Sequence, residues 1–313
     1  MTGRRLDVLF LLALPASGKS EIRRYLDALD TDEASRLGLG RPVHLDDYPY
    51  VHAMRVADEA ALLAGRPPTF FAGMDEPFAD PREWTVLTRL LAADVAVALG
   101  GGSPPVPTAG GLLDRIDHIR AEVGLPALGS DLRPILAAPL AAEARRIASA
   151  VDDAVSAWDP VAATLVVEFA RGGPTGAPLP LEAPFGYRHA LGQFPPAILE
   201  RARVLYVWVD AEDSRRRNRE RAVAGLEGST LHHGVPETVM RQEYGCDDID
   251  WMLGHARDPG SIDIATGGTI VSVPAARLDN RDDLTSHLRA DPAAWDEALR
   301  AELHRRLVRA LAR

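Results

Sequence analysis

Cysteine is almost absent from this chain, since Cys246 is the only one among 313 residues. A single cysteine excludes an internal disulfide framework and a cysteine-based zinc cluster. A reducing, cytoplasmic environment is the simplest expectation for such a composition. Long apolar runs are absent too: no stretch reaches the roughly 18 uncharged apolar residues that a membrane span needs, so we expect no membrane partner.

Positive charge is also scarce, because 45 acidic side chains outnumber 35 lysines and arginines and give a formal net charge of −10. A nucleic-acid backbone requires a basic surface, so we expect no nucleic-acid partner. Basic residues do gather between positions 201 and 221, where a small anionic ligand could be held. With 46% hydrophobic residues, the chain can bury a sizeable core as a single domain over residues 1–313 that contains an insertion.

Lysine is the rarest charged residue, because Lys19 is the only one and the other 34 of the 35 basic residues are arginines. The composition therefore uses arginine wherever a positive charge suffices. A compact ammonium on a thin stem can reach between the β- and γ-phosphates of a nucleotide, whereas a planar guanidinium is too wide for such a loop. The position of the one lysine thus supports a phosphate site independently of any motif.

The segment Ala13-Leu-Pro-Ala-Ser-Gly-Lys-Ser20 follows the phosphate-loop pattern G-x-x-x-x-G-K-[ST], except that Ala13 replaces the first glycine. An apolar run over 6–12 predicts a buried strand before this loop, and 21–29 predicts a helix after it. In this setting backbone N–H groups cradle the phosphates, the lysine neutralises them and the serine hydroxyl binds Mg²⁺. The residues that we expect to bind the nucleotide here are Ala16, Ser17, Gly18, Lys19 and Ser20.

The remaining pattern alternates short apolar strands with helices, which predicts an α/β fold. The further strands are expected at 43–47, 164–168, 204–209 and 269–273. We therefore predict a five-stranded, mostly parallel sheet with helices on both faces. Residues 66–160 predict a helical insertion that covers a substrate, and residues 211–245 a lid-like segment.

Acidic residues stand at the ends of two predicted strands, where ligands of parallel sheets bind. Asp46 and Asp47 end the second strand. A carboxylate there can accept the proton of an attacking hydroxyl, but an aspartate before Tyr48-Pro49 also suits a helix cap or a turn. Glu168 ends the third strand, where an acidic side chain carries a desolvation cost that a functional role would explain.

With these motifs in place, the chain resembles the P-loop kinase superfamily of nucleoside, nucleotide and small-molecule kinases. The resemblance implies that Glu168 holds Mg²⁺ through water from the Walker B position, and that a carboxylate at the end of the second strand is the base. Asp46 and Asp47 are both candidates for that base, and we slightly prefer Asp47. The segment Val-Val-Glu-Phe-Ala-Arg resembles the Glu-Arg-Ser segment of deoxynucleoside kinases, so Arg171 would contact the acceptor or a phosphate. Asn280 follows the fifth strand, where related kinases contact the nucleotide base, although a turn residue is an equal alternative.

The arginine-rich segment 214–221 resembles the lid of nucleotide kinases. Arg217 and Arg221 are four residues apart and therefore share one helix face. Such a pair can close on the transferring phosphates and stabilise their charge, whereas the other arginines of the segment suit a solvated face.

The predicted function is transfer of a phosphate from ATP, with Mg²⁺, to the hydroxyl or phosphate of a small molecule. GTP is an alternative phosphate donor, and the sequence does not identify the acceptor. A protein of another class, a regulatory NTP-binding or hydrolysing protein that acts through a protein partner, is the competing hypothesis.

Overall fold

The computed structural model describes residues 5–221 and 234–311. The strands found there are β1 (Val8–Leu12), β2 (Arg41–Asp46), β3 (Ala163–Phe169), β4 (Ala202–Trp208), β5 (Ser261–Thr266) and β6 (Thr269–Asp279). They form one sheet in the order β2-β3-β1-β4-β6-β5, in which β5 alone runs antiparallel to its neighbour. The predicted α/β class with a mostly parallel sheet is confirmed. The predicted count of five strands is wrong, because these residues contain six.

The strand that sequence patterns missed is β5, which forms a hairpin with β6 across Gly267 and Gly268. Both glycines have positive φ, 55° and 78°, as tight hairpins require. The predicted end of the last strand at 273 is wrong too, because β6 continues past Pro274 to Asp279. Up to Pro274 the strand pairs with β5, and beyond it with β4. The missing N–H of proline thus falls where the strand changes partner.

The helices of the described residues complete the fold. They are α1 (Lys19–Asp27), α2 (Thr31–Arg36), α3 (Tyr48–Leu63), α4 (Glu83–Ala98), α5 (Ala109–Glu122), α6 (Arg133–Leu136), α7 (Leu140–Ala157), α8 (Gly186–Leu191), α9 (Pro196–Leu199), α10 (Ala211–Arg221), α11 (Glu237–Gln242), α12 (Ile249–His255) and α13 (Glu297–Leu311). No helix in residues 5–221 and 234–311 is long and apolar enough to cross a bilayer.

Both faces of the sheet are covered, because β1 is buried along its whole length. Leu9 and Leu11 point to one face, where they join a core with α1 and α13. Val8, Phe10 and Leu12 point to the other face, where they join a core with α4, α7 and α8. This alternation follows from the two-residue period of a strand, and it holds the loop after β1 between two packed layers.

A further core connects residues 66–160, which the sequence predicts as a helical insertion, to segments outside that range. It joins α3, α4, α5 and α7 with the loop 66–81, through side chains such as Phe70, Leu87 and Ile116. Helix α4 belongs to both cores, since Leu91 and Val95 pack against the sheet. The region is therefore anchored to the sheet, and its role as a substrate cover stays a prediction.

The order of the strands reverses at β1, because β3 and β2 lie on one side of it and β4 and β6 on the other. The register places Asp46 of β2 opposite Glu168 of β3, at the carboxyl edge of the sheet. Ligands of open α/β sheets bind outside this edge at the point where the order reverses. The loop that follows β1 occupies that point.

Candidate functional site

A cavity of about 760 Å³ opens at the carboxyl edge of the sheet, beside the loop after β1. Its volume is within the range of small-molecule sites. The predicted site residues that line it are Ala16, Lys19, Ser20, Asp46, Asp47 and Glu168. The fold therefore brings together the predicted loop and the predicted acids of β2 and β3.

Three fully buried side chains hold alternate carbonyl groups of the loop. Tyr187 Oη donates to the Ala13 carbonyl at 2.9 Å, and Ser214 Oγ donates to the Pro15 carbonyl at 2.7 Å. Asn280 Nδ2 donates to the Ser17 carbonyl at 2.8 Å. None of the three donors lines the cavity. In a trans peptide the next N–H points the opposite way. The N–H groups of Leu14, Ala16 and Gly18 therefore point away from these three donors. Of the predicted nucleotide-binding residues, Ser17 and Gly18 do not line the cavity.

The loop backbone has the left-handed residues that such an arrangement needs. Ala16 has φ 57° and Gly18 has φ 105°. The left-handed conformation costs an alanine about 1 to 2 kcal/mol, which the three hydrogen bonds to the loop carbonyls can offset. Consecutive N–H groups in this conformation form a concave anion-binding nest.

Lys19 is the first residue of helix α1, is half-buried and lines the cavity. Its ammonium makes no hydrogen bond or ion pair within residues 5–221 and 234–311. Burial lowers the pKa of Lys19, although the negative charges of Glu168, Asp47 and Asp46 oppose this effect. A desolvated cation that lacks a direct partner is electrostatically suited to an anionic ligand.

Two acids lie across from Lys19 and share one arginine. Arg23 Nη1 lies 3.4 Å from Asp46 Oδ2 and 3.5 Å from Glu168 Oε1. Burial raises the pKa of both carboxyl groups, and Lys19 and Arg23 counteract the rise. Oε1 of Glu168 is buried and accepts no hydrogen bond from the described residues. This oxygen can therefore take a further donor or a cation.

Asp47 is held by the buried Arg171. Arg171 Nη1 donates to Asp47 Oδ2 at 2.6 Å, and Nη2 donates to Thr88 Oγ1 at 2.9 Å. The guanidinium of Arg171 is 2% exposed and pairs with Asp47, and its contact with an acceptor or phosphate stays a prediction. Oδ1 of Asp47 accepts no hydrogen bond from the described residues, so one carboxylate oxygen stays available while the other is anchored.

Asn280 and Arg217 do not reach the cavity. Besides Ser17, Asn280 bonds the Thr285 hydroxyl and the Leu284 amide, so its side chain lies behind the loop. Arg217 Nη2 donates to the carbonyls of Asn280 and Arg281 at 2.9 and 3.1 Å. Both are therefore placed to support the loop after β6.

The second arginine of the predicted lid pair cannot be located. Only the backbone of Arg221 is described, as the last residue of α10, and residues 222–233 lie outside the described ranges. The lid-like segment 211–245 is therefore covered only in part, by α10 and by residues 234–245.

Sequence reasoning missed a group of aromatic residues at the other end of the cavity. We name this group the aromatic wall; its members are Phe71, Phe78, Trp84 and Tyr244. Glu243 lies among them, and its Oε1 accepts from the Phe78 amide at 3.2 Å and from Trp84 Nε1 at 3.0 Å. The phenylalanines of the loop 66–81 were a usable signal. Nothing in the sequence around Glu243 indicated that it would meet a loop some 160 positions earlier.

The buried Glu243 leads to a prediction about how the free energy of unfolding depends on pH. Burial raises its pKa from 4.5 to about 7, so the folded state keeps the proton to higher pH than the unfolded state. The resulting stabilisation is present below about pH 4.5 and is lost as pH rises to about 7. It corresponds to about 2 to 3 kcal/mol. Glu243→Gln lacks this titration but can accept the same two hydrogen bonds.

Between about pH 5 and about pH 8, the free energy of unfolding of Glu243→Gln should therefore fall less than that of the wild type. The difference between the two decreases should be about 2 to 3 kcal/mol. Urea denaturation of both proteins at several pH values measures the difference. Parallel pH profiles for the two proteins would contradict it.

Comparison of this chain with protein-family models, with curated proteins and with solved structures finds no match. The likeness of residues 13–20 to a phosphate-binding loop therefore depends on the motif and on the geometry of the loop itself.

Proposed function

We propose that this chain is an ATP- and Mg²⁺-dependent phosphotransferase of the P-loop kinase type, which phosphorylates the hydroxyl or phosphate of a small molecule. The observation that carries the proposal is the position of Lys19. The only lysine of the chain lies at the cavity with no direct partner among the described residues. The loop beside it leads into the N-terminus of α1, where backbone N–H groups suit a phosphate chain.

The topology supports a nucleotide at this loop. The loop connects the central strand β1 to helix α1 at the point where the strand order reverses. The positive end of the α1 dipole adds to the N–H groups of the loop, so the phosphates of ATP would meet concentrated partial positive charge. Lys19 would then neutralise the β- and γ-phosphate oxygens.

The residues near the loop also suit Mg²⁺. The described residues contain no group of three or more His, Cys, Asp or Glu side chains that could hold a metal ion without other ligands. Mg²⁺ in nucleotide sites commonly has one or two protein oxygens and takes its other ligands from phosphates and water. Ser20 and Glu168 fit this role, since Oε1 of Glu168 lacks a hydrogen-bond partner. When bound, Mg²⁺ would neutralise charge on the phosphate oxygens.

The acceptor would lie against Asp47 and Asp46, which line the same cavity. Arg171 anchors one oxygen of Asp47, which orients the carboxylate and leaves the other oxygen to accept the proton of an attacking hydroxyl. Asp46 is more exposed and already shares Arg23 with Glu168. Asp47 is therefore the proposed base, and Asp46 the neighbour that balances the charge of Arg23.

Two isosteric variants test this assignment. Asp47→Asn should lower the turnover of acceptor-dependent ATP consumption by about a hundredfold or more, because the amide cannot take the proton. ATP binding, followed by calorimetry, should persist, since the proposal assigns ATP to Lys19 and the loop and assigns Asp47 to the acceptor. Asp46→Asn is the matched control, and we expect a smaller loss. A large loss in Asp46→Asn alone would assign the base to Asp46.

The acceptor itself can be found by measuring ATP consumption against a library of small hydroxyl and phosphate compounds. The proposal expects one compound class to raise the rate in the wild type and not in Asp47→Asn. No stimulation by any compound, combined with capture of a protein partner only in the ATP-bound state, would support the regulatory hypothesis instead.

A further inference from the structure

The end of the cavity away from the loop is built from aromatic rings. Phe71 and Phe78 stack with centroids 4.6 Å apart, and Trp84 meets Phe78 edge to face at 5.0 Å. Tyr244 continues the row at 5.7 Å from Trp84. All four are less than 10% exposed, and all four line the cavity. A flat ring could pack against this surface in the geometries that aromatic pairs prefer.

Polar groups hold the wall in place. Asp58 is buried, and its carboxylate accepts the backbone N–H groups of Thr69, Phe70 and Phe71. This bonding organises the loop that carries Phe71. An isolated antiparallel bridge joins Phe71 to Phe78 across the same loop. The wall is therefore a preorganised surface, as a binding site requires.

Glu243 gives this surface an unused hydrogen-bond acceptor. A carboxylate has about four lone-pair positions, and both internal bonds to Glu243 go to Oε1. Above about pH 7, where Glu243 is ionised, its Oε2 is an acceptor that takes no hydrogen bond from the described residues, and Glu243 lines the cavity. In a cavity lined by aromatic rings, a hydrogen bond to this oxygen is stronger than in bulk water. A ligand that carries an N–H or O–H group would supply the donor.

Two guanidinium groups restrict the charge of such a ligand. Arg55 lies 4.0 Å over the ring of Phe71, and Arg171 lies 4.7 Å over the ring of Trp84. A cationic ring would be repelled by both, and an anionic ring by the Glu243 carboxylate, so the electrostatics favour a neutral one. The same Arg171 binds Asp47, so the wall and the proposed base are separated by a single guanidinium.

We infer that the acceptor is a neutral aromatic or heteroaromatic alcohol. Its ring packs on the aromatic wall, and its N–H or O–H group donates to Glu243. Its hydroxyl, a few bonds from the ring, meets Asp47. The inference rests on the proposed phosphotransferase function for the role of that hydroxyl. It adds the class of substrate and makes Glu243 the specificity-determining residue.

The test uses pairs of probes that differ in one hydrogen-bond donor. The donor-bearing alcohols are indole-3-ethanol, thymidine and 4-hydroxybenzyl alcohol, and their partners are the N-methylated or O-methylated forms. Glycerol and myo-inositol are the alcohols without an aromatic ring. Binding is measured by calorimetry on the full chain at about pH 8, where Glu243 is ionised, with and without a non-hydrolysable ATP analogue. ATP binding is measured separately.

We expect at least one donor-bearing ring to bind, with its methylated partner at least tenfold weaker, because methylation leaves Oε2 of Glu243 unsatisfied. Glu243→Gln should abolish this preference. Its amide oxygen can keep the two internal bonds, so its NH₂ group would meet the donor of the ligand. Glu237→Gln, on α11 and outside the cavity, is the matched control and should behave as the wild type.

Binding of the ring-free alcohols alone would overturn the inference, as would failure of all three ring alcohols to bind. Equal affinities within every pair of probes for the wild type would overturn it as well, and this comparison requires no variant. A protein that binds ring alcohols but not ATP would instead contradict the phosphotransferase proposal. The two failures are therefore distinguishable.

Discussion

Lys19→Ala is expected to weaken ATP binding by about a thousandfold, so that calorimetry detects no heat of binding at ordinary concentrations. The loss corresponds to about 4 kcal/mol, the order expected when one partner of a desolvated charge pair is removed. The argument depends on position, because Lys19 is half-buried at the cavity and has no direct partner among the described residues. Its removal should therefore weaken the binding of the ligand and change the stability of the fold little.

Lys19→Arg is the more demanding variant, since it keeps the charge in a chain that otherwise uses only arginine as its basic residue. A planar guanidinium is too wide to reach between the β- and γ-phosphates, so we expect Lys19→Arg to lose most of the ATP affinity as well. Thermal unfolding should show both variants within a few degrees of the wild type. Wild-type ATP affinity in Lys19→Ala would refute the nucleotide site, and in Lys19→Arg it would refute the geometric reason for the lysine.

Gly18→Ala is expected to lower the free energy of unfolding by about 3 kcal/mol and to impair ATP binding. A Cβ at this position would lie 2.4 Å from Thr285 Oγ1 and 2.6 Å from Asn280 Nδ2. The backbone also has φ 105°, which an alanine rarely adopts. Because Asn280 holds the Ser17 carbonyl, relief of the clash would displace the hydrogen bond that orients the loop.

Gly176→Ala separates the two costs of that substitution. Gly176 has φ 78°, but a Cβ there would have no atom within 4 Å. Its replacement should cost only the conformational penalty, about 1 kcal/mol, and leave ATP binding unchanged. Urea denaturation and ATP calorimetry on both variants give the comparison. Equal losses of stability at the two positions would contradict the crowding of Gly18 by Asn280 and Thr285.

Local patterns were sufficient for much of the fold. The apolar run before Ala13 and the helix after Ser20 form β1 and α1 almost where the sequence predicted them, because a doubly covered strand and an amphipathic helix have distinct periods. The hairpin strand β5 and the helices α8, α11 and α12 were missed. Each has six or seven residues, and so short a segment contains too few periods to identify its structure.

The candidate site, too, could be predicted from the sequence only in part. Asp46, Asp47 and Glu168 could be placed beside the loop from sequence, because parallel strands end at one edge and the acids stand at those ends. The roles of Arg171, Arg217 and Asn280 could not be assigned so directly. The side chain of Arg171 bonds Asp47 at the cavity, whereas Arg217 and Asn280 bond backbone carbonyls outside it.

By itself, then, the sequence determined the α/β class, the loop at residues 13–20 and the acids at the strand ends, since all of these depend on spacing within short segments. Only the tertiary structure decided which polar side chains face the cavity and that Glu243 meets Phe78 and Trp84 in an aromatic wall. The physical reason is that a side chain turns toward whatever satisfies its hydrogen bonds and excludes water. For these residues those partners come from segments far away along the chain.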